Sequence, residues 1–92
     1  KENSALVFWD AQSRVVYLSL DKLPPAPPGK QYQLWAIIDG KPVSAGVYPL
    51  SAQGNLQKME PVSRAQMFAV TLEKEGGVPN PTMDQMYVAG KI

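Results

Sequence analysis

Asp39, Glu73 and Glu75 are the carboxylates whose positions, in a turn and at a strand end, could pair as general acid and base. Such pairs hydrolyse glycosides when the carboxyls stand about 5 to 9.5 Å apart across a cleft. Nothing around these residues supplies the cleft, and solvated charges at strand ends account for them more simply. The sequence holds neither cysteine nor histidine. Thiolate, disulfide and imidazole chemistry are therefore missing, and neither a Ser-His-Asp nor a Cys-His arrangement can be assembled within the chain. A zinc or copper site would have to use carboxylates and thioethers alone, which suits those metals poorly. The expectation is a chain that is not an enzyme, with no catalytic residue, metal or cofactor.

Three further motifs have a chemical and a plain reading. Gly76-Gly77 with Pro79 and Pro81 behind it lacks the Lys-Ser/Thr of a phosphate-binding loop and reads as a strand connection. Asn80-Pro81-Thr82 has a central proline, which excludes it as a glycosylation acceptor. The run over 23–29, Leu-Pro-Pro-Ala-Pro-Pro-Gly, contains two PxxP frames, Pro24 to Pro27 and Pro25 to Pro28, which could form a polyproline helix for an SH3-like partner. The plainer reading is a rigid crossover whose prolines lower the entropy of the unfolded chain. Nine basic residues, never adjacent, are interleaved with eight acidic ones for a net charge of +1, so the chain has no stripe for nucleic acid.

The elements that must carry these residues read as strands. Length, at 92 residues, fits one domain over 1–92, and the 45% hydrophobic content is enough for a single core. Runs with a period of two, rich in Val, Ile, Tyr, Phe and Trp, recur between turn signals. They place strands at 4–9, 14–20, 30–39, 43–48, 55–60, 67–73 and 83–89, with a turn or brief helical piece over 61–65. Asp39-Gly40 is a two-residue hairpin signal, since both positions need positive φ. The proline run cannot donate ladder hydrogen bonds at four of its seven positions and must lie outside any sheet. The pattern predicts an all-β fold, a two-sheet antiparallel β-sandwich of about seven strands of immunoglobulin or fibronectin-III kind.

Strand 30–39 is apolar on both faces. Tyr32, Leu34, Ala36 and Ile38 share the side expected to face the core, which leaves Trp35 and Ile37 on a surface normally shown to water. One reading makes Trp35, Ile37, Tyr48 and Tyr87 an exposed protein-interaction patch. The other has a loop, such as the proline segment, cover Trp35, or makes Trp35 itself the core tryptophan.

The ordered set Leu23-Pro24, Gly29-Lys30, Tyr32-Gln33-Leu34-Trp35, Asp39-Gly40, Ser44-Ala45-Gly46, Thr71-Leu72-Glu73, Gly76-Gly77 and Pro81-Thr82 resembles the C-terminal domain of the anti-sigma-K factor family, over residues 5–90. The resemblance implies an extracytoplasmic regulatory domain, periplasmic or at the cell surface. In that family a cytoplasmic N-terminal segment binds the sigma factor, a single transmembrane helix follows, and stepwise proteolysis of the anchor releases the sigma factor. The implied partners of this part are a protein or an envelope protease, and the matching positions look structural. The chain opens at Lys1 rather than Met and its longest apolar runs are five residues, as at 34–38. On these features the expectation is an excised domain, with residues 1–3 the remnant of a juxtamembrane linker. A fibronectin-like adhesion or glycan-binding module of a bacterial envelope protein is the alternative.

Overall fold

The computed structural model describes residues 3–52 and 55–91. Among the described residues there are seven strands, β1 Ser4–Asp10, β2 Val15–Lys22, β3 Lys30–Ile38, β4 Lys41–Val47, β5 Gln57–Lys58, β6 Met67–Lys74 and β7 Met86–Lys91. They form two antiparallel sheets, a three-stranded one in the order β1-β2-β5 and a four-stranded one in the order β4-β3-β6-β7. The expected all-β, two-sheet architecture therefore holds.

Alternation dictates which side chains meet between the sheets. Val16, Leu18 and Leu20 of β2 face Tyr32, Leu34 and Ala36 of β3 and Phe68, Val70 and Leu72 of β6, and all of them are buried in one cluster. The phase read from the sequence for β3 is the observed one. The β3–β4 hairpin turns at Asp39 and Gly40, with φ of 52° and 78°, the left-handed pair that a two-residue loop requires.

Three expectations need correction. Residues 55–60 contribute only the two-residue β5, because beyond it the ladder to β2 continues as isolated bonds, Met59 N to Val16 O and Val62 N to Arg14 O. No helix forms over 61–65; the Trp9 indole instead fixes that segment by donating to the Val62 carbonyl at 2.8 Å. The last strand does not begin at Met83, since Met83–Gln85 is a 3-10 turn and β7 runs from Met86.

The sandwich is closed along one side and open along the other. Gly46, at a register shift in β4 with φ of 104°, lies so close to Glu60 that a Cβ would stand 3.3 Å from its Cγ. There Glu60 N donates to the Ala45 carbonyl at 2.9 Å and joins the edge of the larger sheet to the segment after β5. On the opposite side β1 and β7 leave an apolar seam of about 330 Å³, lined by Val7, Trp9, Phe68, Val70 and Val88 among others.

Candidate functional site

The carboxylates do not converge. Asp39 sits at one end of β3, ion-paired with Arg64 and exposed, whereas Glu73 pairs in register with Gln31 near the other end. Eight residues of strand separate those levels, about 26 Å at 3.3 Å per residue. Glu73 is buried while Glu75 lies exposed in the following turn, so these two do not share a cleft either. Among the described residues no group of three His, Cys, Asp or Glu gathers to hold a metal ion.

The four-stranded sheet instead carries a buried polar layer on the face turned away from the core. Gln31, Gln33 and Trp35 project there from β3, Thr71 and Glu73 from β6, and each is at most 8% exposed. The connection from β6 to β7 crosses this face as a strap. Gly76 N donates to Gln31 Oε1 at 2.9 Å, and Val78 N donates to Gln33 Oε1 at 3.0 Å. Gln33 Nε2 returns a bond to the Val78 carbonyl at 3.0 Å and another to Ser44 Oγ at 2.8 Å. Further along, Thr82 donates to Glu73 twice, from its backbone N at 2.8 Å and from its hydroxyl at 2.7 Å.

Beside these anchors lies Trp35, at 0% exposure. Its indole N–H donates to Thr71 Oγ1 at 2.8 Å, and the Thr71 hydroxyl donates to Glu73 Oε2 at 2.7 Å. The chain of donors ends on a carboxylate, the arrangement in which a buried ionised group is best tolerated. Burial by itself would raise the Glu73 pKa; the bonds from Thr82 N and from the Thr71 and Thr82 hydroxyls, with the nearby Lys30 charge, outweigh it and hold the carboxyl below its ordinary value. No buried side-chain nitrogen or oxygen among the described residues lacks a partner. The layer holds a loop in place.

The expected patch of Trp35, Ile37, Tyr48 and Tyr87 does not form, because the four residues lie on opposite faces of one sheet. Trp35 is enclosed on the outer face, with half-buried Ile37 next to it in the row. Tyr48 and Tyr87 pack into the core side, where Tyr87 meets Tyr32 edge-to-face at 5.5 Å. Tyr48 is buried, with its hydroxyl donating to the Asn55 carbonyl. A loop does lie across the outer face, and it is the 75–85 strap rather than the proline segment. That segment flanks Tyr32, whose hydroxyl donates to the Pro24 carbonyl at 2.7 Å. Burial and then Tyr87 raise the Tyr32 pKa, which keeps this donor protonated.

The motif positions gather at a few places. Thr71, Glu73, Gly76, Gly77 and Pro81 belong to the strap and its anchors; Asp39 and Gly40 make the hairpin turn, and Gly46 the close approach to Glu60. Leu23, Pro24 and Gly29 frame the proline run, and Tyr32 and Leu34 belong to the core. Gly77 has φ of 87°, and a Cβ there would stand 2.8 Å from Val47 Cγ1 and 3.0 Å from Gln33 Oε1. Gly77→Ala is expected to cost about 1 to 3 kcal/mol through strain and crowding. Thermal unfolding measures the loss, and faster amide exchange at Val78 than in the β3 interior would locate it in the strap.

The sequence reading missed a second surface. Leu6 and Phe8 of β1 and Tyr17 of β2 stand on the outer face of the three-stranded sheet at 52%, 55% and 36% exposure, with Phe8 and Tyr17 directly paired. The signal was present in 5–9, where both alternating sets of residues are apolar.

A family model described as anti-sigma-K factor rskA, C-terminal, matches residues 1–86, a stretch that takes in β1 to β6 and the whole strap. The chain is also 35% identical over 83 residues to an uncharacterized protein in the phr 5' region of Streptomyces griseus. That match covers 89% of this chain and 34% of the relative, so the chain spans about a third of the relative's length. No solved structure matches. No helix among the described residues is long and apolar enough to cross a membrane.

Proposed function

The chain belongs to the family of anti-sigma-K factor C-terminal domains, and we propose that it serves as the extracytoplasmic regulatory or sensory module of a membrane-anchored anti-sigma factor, acting by protein binding and by shielding the anchor from proteolysis. The observation that carries this reading is the family match over nearly the whole sandwich. The geometry supports it from another side: Glu73, Thr71, Trp35 and the two glutamines are bonded to one another and to the strap, so their polar atoms serve architecture. What the domain offers to other molecules is surface, including the Leu6, Phe8 and Tyr17 face.

In this reading the sigma factor is bound by an N-terminal region and the membrane is crossed by a helix, both outside this chain. The three-plus-four arrangement of strands supports kinship with immunoglobulin and fibronectin-III sandwiches. The test joins the domain to its native juxtamembrane segment and exposes the fusion to envelope protease. Cleavage of the segment should be slower with the folded domain than with the Trp35→Ala domain held above that variant's melting midpoint. Equal rates would refute shielding.

A further inference from the structure

The proline segment has a burial pattern of its own. Leu23 and Ala26 are half-buried against the core, while Pro24, Pro25, Pro27 and Pro28 are exposed. A repeat of three is the signature of a polyproline II helix, which has three residues per turn. The chain has reason to adopt it, since Leu23, Pro24, Ala26 and Pro27 each precede a proline and are thereby steered to extended conformations. The segment ends in a tight turn, in which Lys30 N donates to the Pro27 carbonyl at 3.0 Å and Gly29 takes φ of 78°.

The same repeat divides the carbonyls. Those of Pro24 and Pro27 are taken from within the protein, by the Tyr32 hydroxyl and by Lys30 N. Among the described residues nothing takes those of Pro25 and Pro28. Exposed lysines close both ends, Lys22 three residues before Pro25 and Lys30 two residues after Pro28. Exposed proline rings with two unbonded carbonyls and a lysine at each end match a groove lined by aromatic side chains and rimmed by carboxylates. Because the ridge is already ordered by Leu23 and Ala26, little entropy is lost on docking.

We propose that residues 22–30 are a docking ridge, read through Pro25 and Pro28, for a protein partner with an aromatic groove and an acidic rim. The inference is independent of the shielding role.

The probe is an isolated SH3-type domain with such a groove, titrated into the isotope-labelled 92-residue chain. Saturable shifts should be confined to the amides of Leu23, Ala26, Gly29 and Lys30 and their neighbours, and should weaken as salt rises. Pro25→Ala with Pro28→Ala should weaken binding roughly tenfold or more, as removal of central contacts does, while Pro24→Ala leaves it nearly unchanged. Thermal unfolding of each variant confirms that the sandwich persists. Absence of saturable shifts, shifts centred on another face, or undiminished binding by the Pro25→Ala, Pro28→Ala chain would each overturn the proposal.

Discussion

Trp35→Ala should lower the melting midpoint of the domain by at least about 12 °C. The indole is completely enclosed, and truncating a buried tryptophan to alanine costs about 3 to 5 kcal/mol. A domain of this size has only about 5 to 14 kcal/mol in total. In a 60–100-residue domain each kcal/mol moves the midpoint by about 4 to 8 °C, so a fall of at least about 12 °C is expected in a calorimetric scan. Trp35→Phe separates packing from bonding. It keeps most of the ring volume and removes the N–H that reaches Thr71, and should cost about 1 kcal/mol. A Trp35→Ala chain that melted like the native one would contradict the enclosed position of the indole.

Glu73→Ala should produce the second large loss, and in a different place. The carboxylate accepts from Thr71 and twice from Thr82, so its removal leaves a fully buried threonine hydroxyl without its acceptor and frees one end of the strap. Bonds to charged acceptors of this kind are worth about 1.5 to 3 kcal/mol. Exchange should accelerate first at Gly76, Val78 and Thr82, with β3 and β6 protected until global unfolding.

The pH dependence follows from the direction of the shift. A carboxyl held below its ordinary value of 4.5 contributes stability that is fully present above that pH and is lost as pH falls through the lower, folded value. Thermal unfolding of the native chain should therefore weaken on acidification below about pH 4.5, and Glu73→Gln should flatten that part of the profile. An unchanged acid limb in Glu73→Gln would mean that other carboxylates govern it.

The sheets were legible because their signals are local. Val16, Leu18 and Leu20 alternate with polar or exposed neighbours, Asp39-Gly40 prescribes a turn, and four prolines in seven residues forbid a ladder. The strap was not legible, although its glycines and prolines were noticed. EGGVPNPT reads as a break in pattern, and nothing local tells that Gly76 and Val78 will bond glutamines 45 residues earlier. Glu73 illustrates the same limit. A glutamate closing a strand is ordinarily solvated, and its burial here depends on Thr82 coming back across the sheet. The four-residue patch failed for a related reason, since Trp35 and Ile37 do share a face as their spacing requires, but Tyr48 and Tyr87 reach the core through loop and bulge positions that a period of two does not describe.

The open seam bears on how the domain would carry tension. β1 has a laddered neighbour on one flank only, and among the described residues the Trp9 to Val62 bond ties it to a segment outside the β1–β2 hairpin. A pull applied at residue 3 is thus resisted by a single row of bonds, whereas β3 and β6 are laddered on both flanks and braced by the strap. Stretching should strip β1 away first and uncover Val7 and Trp9, leaving the rest as a mechanically sturdier remnant.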